Sequence, residues 1–457
     1  MKLGLIAMSG VRVRNPELLA LGLTLPSFDE RSQVIASLPS LGLLTLAGLT
    51  TPDVEIRYLE VADLAQVSGV PEEFDAVAIS SFSAQIFEAY ALADRYRALG
   101  TRVILGGLHV SALPLEALRH ADAVVIGEGE PLWPAVIADL KAAKTLKPIY
   151  DARGHNFDFA HSPMPRFDLL DIDRYNRLTV QTQRGCPFRC EFCAASMRIS
   201  PTYKTKPIDR VIAEIHAIKR IWKHPFIEFA DDNSFVNKTH SKQLLRAIAK
   251  EEIHWFTESD LSVADDDELL DLLHEAGCAE VLIGFESTTF SAVNGVEQRS
   301  NWKARKVDHY LEAIRKIQDR GVRVNGCFVL GLDTTGTESF EEIWNFVQQS
   351  GLYDIQITVQ TAFPATPLYA RLKQEGRILR DETWDLCTLF DVNFQPARMS
   401  VSELEAGLRK LIHRVYQDDV VAARRSAFQR NYRRKQRKHR AIATAAHTPT
   451  HHRTSAA

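Results

Sequence analysis

Twice along this chain, near-continuous runs of Val, Ile and Leu alternate with amphipathic stretches, and this alternation restricts the fold more than any other feature. Lys2–Met8, Val54–Glu60, Asp75–Phe82, Arg102–Gly107 and Asp122–Gly127 read as strands. Runs this apolar suit parallel strands covered on both faces. After the third run, Ile86, Ala89, Tyr90 and Ala93 share one helical face. Residues 1–150 are therefore expected to form an α/β domain with a doubly wound, Rossmann-like parallel sheet. Residues 151–177, rich in Pro, Asp, His and Arg, read as a linker. From Leu178 the alternation resumes at a longer interval. Strands are expected at Leu178–Gln183, Phe226–Ala230, His254–Ser259, Glu280–Glu286, Val322–Leu330 and Asp354–Thr361. A helix is expected over Ile208–Trp222, with Pro207 suited to its first turn. Six strand–helix units over 178–378 make a partial (β/α)6 barrel, where chemistry sits at the C-terminal ends of the strands. Residues 379–420 read as a helical region and 421–457 as a basic, partly disordered tail.

Composition narrows the function classes. With a net charge of −3, the body offers no electrostatic case for nucleic acid. The basic tail is read first as a solvated segment. No stretch reaches the roughly 18–20 apolar residues of a membrane span, and the first residues lack the pattern of a signal peptide. The expectation is a cytoplasmic protein with reduced thiols, where clustered cysteines serve metal binding or catalysis.

Three of the six cysteines stand together in "RGCPFRCEFC", spaced C-x3-C-x2-C: Cys186, Cys190 and Cys193. They follow the first strand of the second domain and so fall on a loop at the catalytic end of the barrel. Structural zinc wants four ligands, and no fourth Cys or His lies nearby in sequence. A disulfide would leave one thiol over. A four-iron cluster held by three thiolates keeps one iron open for a further ligand, which gives the number three a physical meaning. Cys278, Cys327 and Cys387 are far apart and read as small buried side chains.

The motif, with Phe192 before the third cysteine, resembles the signature of the radical S-adenosylmethionine (SAM) enzymes, and the likeness runs from about Leu178 to Ile378. The resemblance implies a [4Fe-4S] cluster on Cys186, Cys190 and Cys193. It implies SAM contacts from "FADDN" (Asp231, Asp232, Asn233), from "IGFES" (Glu286, Ser287) and from "GCFVLGLDTTGTE" (Gly326, Gly331). "TAFPATPLY" is similar to the family's usual ending, with Ala365 where relatives carry Gly. Tyr203, Trp255, Glu258 and Tyr369 are candidate cavity residues.

In the first domain the strand ends are small and polar: "SSFSA", "GGLHVS" and "GEGE". Glycine there lets backbone approach a large flat ligand, although no G-x-G-x-x-G follows the first strand. "LPSLGLLTLAGL", "VILGGLHVSALP" and "DAVVIGEGE", all ahead of the cysteine loop, resemble the cobalamin-binding radical SAM family. That resemblance implies cobalamin contacts from Ser81, Ser83, Gly106, Gly107, His109, Gly127, Glu128, Gly129 and Glu130. The Asp-x-His-x-x-Gly loop that ligates cobalt in many cobalamin domains is missing. The expected state is cobalt without a protein imidazole, His109 included. The family's chemistry, as the resemblance implies it, is reductive cleavage of SAM to a 5′-deoxyadenosyl radical. Hydrogen abstraction from a small-molecule substrate and methyl transfer from cobalamin follow. Cyclisation or rearrangement with the same cofactors is a second reading, and a non-catalytic cobalamin- and cluster-binding sensor a third. The first two require an electron donor such as flavodoxin or ferredoxin.

Overall fold

The computed structural model describes residues 1–20, 38–155, 157–194, 200 and 202–446, and for 437–446 the backbone only. In the first domain the strands are β1 (Lys2–Met8), β2 (Glu55–Val61), β3 (Ala76–Ser80), β4 (Arg102–Gly106), β5 (Ala123–Ile126) and β6 (Ile149–Asp151). They pair in the order β2-β1-β3-β4-β5-β6, parallel throughout. Strand order reverses between β1 and β3, and ligands of such sheets bind beyond the strand ends at that switch point. Helix Ile86–Ala98 buries Ile86, Ala89, Tyr90 and Ala93 against one face, the set its periodicity indicates. Strand β6 carries too short an apolar run to read in the sequence and extends the sheet edge into the 151–177 stretch.

The second sheet contains β7 (Leu178–Val180), β10 (Phe226–Ser234), β11 (His254–Ser259), β12 (Cys278–Glu286), β13 (Arg323–Leu330) and β14 (Asp354–Val359). Their order is β7-β10-β11-β12-β13-β14, again all parallel, with β7 and β14 left as edges: a partial barrel. A two-strand antiparallel ribbon, β8 (Gln183–Arg184) with β9 (Lys204–Thr205), flanks the cysteine loop. Helix Ile208–Ile221 starts one residue after Pro207, which is its N-cap rather than part of its first turn.

One expectation for the C-terminal region needs correction. Residues 379–400 hold a single 3₁₀ turn, Trp384–Leu386, and an isolated bridge between Ile378 and Phe394, and helix begins only at Val401. Within the basic stretch, Asp418–Ala446 is one helix. Tertiary anchors hold it: buried Arg424 donates to the Val415 carbonyl at 2.6 Å, Phe428 packs edge-on against Tyr353, and Lys435 pairs with Asp319 at 3.0 Å. Composition alone does not display such partners. Residues 447–457 lie outside the described part. Among the described residues no helix is long and apolar enough to cross a membrane.

The barrel interior carries buried charge near its base. Glu280 is held largely by burial, then by the Asp354 charge, at a pKa of about 7. Its ionised form therefore costs folding stability, a cost that grows as pH rises from the ordinary carboxylate value of 4.5 toward 7. Glu280→Gln is expected to be more stable than the parent by on the order of 1–3 kcal/mol at pH 8 and by less than about 1 kcal/mol at pH 5. Denaturant titrations at the two pH values check this. A gain of the same size at both would assign it to packing.

Candidate active site

The two sheets face each other across one cavity of about 530 Å³. Its first-domain side is formed by the carboxyl ends of β1, β3, β4 and β5, including Ser81, Gly106, Gly107, Gly127 and Gly129. Its barrel side includes Thr179, Gln181, Glu228 and Asp232. The volume falls within the usual range for ligand pockets. Gly107 has φ of +104°, and a Cβ there would stand 3.1 Å from Ser80 Oγ. The floor at this point is bare backbone that a side chain would fill.

Not every first-domain candidate faces that space. His109 is fully buried; its Nδ1 lies 3.0 Å from Ser83 Oγ and its Nε2 3.2 Å from Glu116. Ser83 and His109 are thus corrected from cavity contacts to a buried hydrogen-bond chain, which Glu116 extends to Tyr90 and Trp384. With both ring nitrogens engaged, His109 is no metal ligand. Glu128 and Glu130 line the cavity, but their carboxylates are spoken for. Arg184 bonds Glu128 at 2.9 Å and Glu130 at 2.8 Å, and Lys204 bonds Glu128 at 2.8 Å. Arg184 also lies over the Phe159 ring. This ion cluster joins the first domain to the residue two before Cys186.

On the barrel side, β10 changes register against β11 between Phe229 and Ser234, which re-aims the residues between them. Asp231 is completely enclosed and accepts from Thr182 N, Thr182 Oγ1, Gln183 N and Ser234 Oγ at 2.6–3.0 Å. It clamps the start of the cysteine loop, so its role as a ligand contact is corrected to a structural one. Neighbouring strand residues point to opposite faces, and Asp232 is the one that lines the cavity, while its Oδ2 accepts from Gly185 N at 2.6 Å. Burial raises the Asp232 pKa above the usual carboxylate range, opposed by that bond and the Arg184 charge. Asn233 stands 3.8 Å from Cys186 Sγ and bonds Asp260 at 2.8 Å.

The cysteine loop is fastened at several points. Glu191 N bonds Val296 O, Arg189 O accepts from Gln298 N, and Glu297 accepts from Arg189 N. Arg371 pairs with Glu191 at 2.8 Å. Cys186 and Cys190 are raised first by burial, Cys190 to about 12; the Cys193 and Asp232 charges add to the rise at Cys186, and at Cys190 the Lys303 charge opposes it. Three thiols on one loop, with no fourth Cys or His near them in sequence, are the donor set a four-iron cluster takes when each thiolate binds a different iron.

Glu286 ends β12 at φ +63°, a left-handed conformation rare for a side chain of its kind. It is buried and paired with Lys303, which also donates to Gly284 O at 3.3 Å. Ser287 follows it, 2% exposed. A Cβ at Gly284 would lie 2.7 Å from Glu286 Oε1 and 3.3 Å from Lys303 Nζ. Gly284→Ala is expected to push this pair apart and weaken SAM binding by about tenfold, the lower end for loss of an outer-shell partner, with iron content unchanged. A SAM titration of the anaerobically reconstituted protein reads it.

Gly326 and Gly331 turn away from the site. A Cβ at Gly326 would meet Leu352 at 2.8 Å, and one at Gly331 would meet Leu404 at 3.0 Å. Both are corrected from SAM contacts to close packing against the apolar core. Trp255 is fully buried against Phe229 and Phe235 on the helix side of β11, and Tyr369 packs on Trp384. Tyr203 bonds Gln183. Glu258, on the opposite face from Trp255, is reached by solvent although protein surrounds it. Burial, then the Glu228 and Asp232 charges, raise it to about 7. Cys278 and Cys387 are buried, as expected, whereas Cys327, expected to be buried as well, is only half-buried.

A switch-point cavity on one parallel sheet, shared with a partial barrel that carries a three-thiol loop, defines a two-module, cofactor-using α/β enzyme. Residues 35–137 match the family model of the B12 binding domain and residues 180–349 that of the Radical SAM superfamily. Residues 366–453 match a domain of unknown function, DUF4070. The chain is 26% identical over 385 residues to the bacteriochlorophyllide d C-12(1)-methyltransferase of Chlorobaculum tepidum, covering 80% of this chain and 81% of that one. It is 26% identical over 364 residues to the hopanoid C-2 methylase of Rhodopseudomonas palustris, covering 78% and 68%. Its fold matches that of the radical SAM methyltransferase TsrM from Kitasatospora setae, solved with cobalamin and a [4Fe-4S] cluster bound. The TM-score there is 0.62 at 14% identity, over 83% of this chain and 79% of that one. The chain belongs to the cobalamin-binding radical SAM enzymes, with a B12 binding domain followed by a radical SAM domain. Its cofactors are a [4Fe-4S] cluster, SAM and cobalamin.

Proposed function

We propose that this enzyme methylates a carbon atom of a small-molecule substrate, of the natural-product or lipid kind, using SAM and cobalamin. The observation that carries the reading is the cavity whose floor is first-domain backbone and whose far wall includes Asp232 and Arg184 at the start of the cysteine loop. A cofactor held on each side of it would leave a reacting carbon between them. The relatives named above are a bacteriochlorophyllide d methyltransferase and a hopanoid methylase, and a substrate of that kind is the one proposed here.

When bound, the three groups supply one-electron reduction, radical generation and a methyl carrier, while the protein orients them and excludes water. In this reading Cys186, Cys190 and Cys193 hold the cluster. Asp232, Asn233, Glu286 and Ser287 meet the polar end of SAM, where an ammonium wants carboxylate and carbonyl acceptors. Ser81, Gly106, Gly107, Gly127 and Gly129 cradle cobalamin. Arg184 keeps Glu128 and Glu130 neutralised at the seam, so that cavity wall presents no loose carboxylate. Glu258 faces the barrel interior as an acceptor for a donor group on the substrate. A flavodoxin or ferredoxin supplies electrons, and the setting is cytoplasmic.

The test is an anaerobic incubation of reconstituted, cobalamin-loaded enzyme with SAM labelled in its methyl group and candidate polycyclic and lipid substrates. Methyl transfer is supported by label in a product. A product formed without label would move the assignment to cyclisation or rearrangement.

A further inference from the structure

The segment between β12 and the helix Tyr310–Asp319 folds over the cysteine loop and touches it directly. Cys190 and Glu297 form a backbone bridge, Glu191 N bonds Val296 O at 3.0 Å, and Gln298 N bonds Arg189 O at 2.9 Å. The Arg299 guanidinium reaches the Pro187 carbonyl at 3.5 Å, and Trp302 packs on Phe188 with ring centroids 4.7 Å apart. Pro187, Phe188 and Arg189 are the three residues between Cys186 and Cys190. None of these residues lines the cavity, and Arg189 and Arg299 are exposed, so this is the loop's solvent side. Its charge is of one sign. Among the described residues neither arginine has an ion pair. Glu297 is 1% exposed and spends its carboxylate on Arg189 N, Arg299 N, Ser300 N and Ser300 Oγ, while Glu191 is paired with Arg371. Unpaired arginines beside a half-buried aromatic pair have the composition of an interface rather than of ordinary surface.

The chemistry needs one electron from outside, and electrons pass between proteins only across short gaps, so the carrier must sit against the loop. A second basic surface exists on the helix Asp418–Ala446, where Arg430, Arg433 and Arg434 are exposed. That helix lies at the other end of the barrel: Arg425 pairs with Asp354 at the start of β14, and Tyr432 packs on Gly321 just before β13. A strand of this length spans roughly 25 Å, which takes the helix out of contention. We propose that Arg189, Arg299 and the Phe188–Trp302 pair form the docking surface for the electron donor, a small carrier protein with an acidic surface. The reduced carrier loses one electron and the cluster gains it, with no bond made or broken. Transient electron-transfer complexes have small interfaces, in which charges at the rim set the encounter rate and its salt dependence. The inference rests on the reading of Cys186, Cys190 and Cys193 as cluster ligands and of a flavodoxin or ferredoxin as donor.

The test mixes reduced flavodoxin, as the acidic carrier, with full-length protein reconstituted anaerobically, and follows flavodoxin oxidation by stopped flow at several salt concentrations. Four proteins are compared after iron and sulfide analysis: the parent, Arg189→Glu/Arg299→Glu, Arg189→Gln/Arg299→Gln, and Arg430→Glu/Arg433→Glu. The parent's second-order rate is expected to fall as salt is added. Arg189→Glu/Arg299→Glu is expected to react about tenfold more slowly at low salt, the lower end for electrostatic steering, and to lose the parent's salt dependence. The Gln variant should fall between, and Arg430→Glu/Arg433→Glu should stay within about twofold of the parent. Dithionite should reduce all four to the same extent. Should Arg189→Glu/Arg299→Glu fail to hold a cluster, the Gln variant decides. Parent-like rates in the cluster-loaded Arg189 and Arg299 variants, or an equal loss in Arg430→Glu/Arg433→Glu, overturn the proposal. A parent reduced by dithionite but not by flavodoxin overturns instead the reading of the donor, and a parent without a cluster the reading of the cysteines.

Discussion

Cys190→Ala is expected to take up no four-iron cluster and to cleave SAM only at background rate, while Cys278→Ala matches the parent in both respects. The contrast follows from where the two thiols stand. Cys190 lies in the middle of a loop whose backbone is held by Glu297, Val296, Gln298 and Arg371 through its neighbours, none of which depends on the sulfur. Alanine therefore preserves the loop's path and removes only the donor. Two remaining thiolates leave a second iron unheld, and the loss should exceed the roughly 10–100-fold that follows removal of an outer-shell partner. Cys278 begins β12, buried in the core with its thiol against the Glu280 carbonyl at 3.5 Å, at the opposite end of the strand from Glu286. Iron and sulfide analysis, the cluster's broad visible absorption and a SAM-cleavage assay check both variants. A Cys190→Ala protein with a full complement of iron would contradict the assignment.

Arg184→Met is expected to loosen the seam between the two domains, at a cost of about 3–5 kcal/mol, the usual penalty for removing one partner of a buried ion pair. Its guanidinium satisfies Glu130 alone and Glu128 together with Lys204, and it caps Phe159. Without it, Glu130 is left with no cation at a position 8% exposed. Both glutamates belong to the turn that supplies Gly127 and Gly129 to the cavity floor, so cobalamin affinity should fall along with thermal stability. Arg184→Lys keeps a charge but cannot span the two carboxylates as a fork does, and should fall between. Combining Arg184→Met with Glu130→Gln should recover part of the loss. Thermal melts and cobalamin titrations read these outcomes, and unchanged values for Arg184→Met would show that the ion cluster is not what joins the domains.

Much of the architecture is legible in the chain itself, because parallel strands buried on both faces must be written as continuous Val, Ile and Leu. Most strands of both sheets lie within two residues of where their apolar runs fall, but β10 continues four residues past Ala230 to Ser234, and β7 stops three residues short of Gln183. The three-residue β6 has no such run. The helix Asp418–Ala446 looks like a solvated basic tail until Arg424 meets the end of the preceding helix and Phe428 and Lys435 find partners on the barrel. The site divides in the same way. The cysteine loop, Asp232, Asn233, Glu286 and the cavity glycines can be picked out by motif. The bulge in β10 that sends Asp231 to one side and Asp232 to the other cannot, because a register change depends on the neighbouring strand. Gly326 and Gly331 look like ligand-facing glycines in sequence, but Leu352 and Leu404 account for them. Arg184 carried a weak signal beside Gly185 and Cys186. Lys303 carried none, since its partner Glu286 lies 17 residues away along the chain.

The most direct measurement of the central claim is a hyperfine spectrum of the reduced cluster with SAM labelled at its amino nitrogen and carboxylate oxygen. The account predicts coupling of both labels to one iron, the iron that Cys186, Cys190 and Cys193 leave without a protein ligand. A reduced four-iron cluster that binds SAM yet shows no coupling to either label would contradict it.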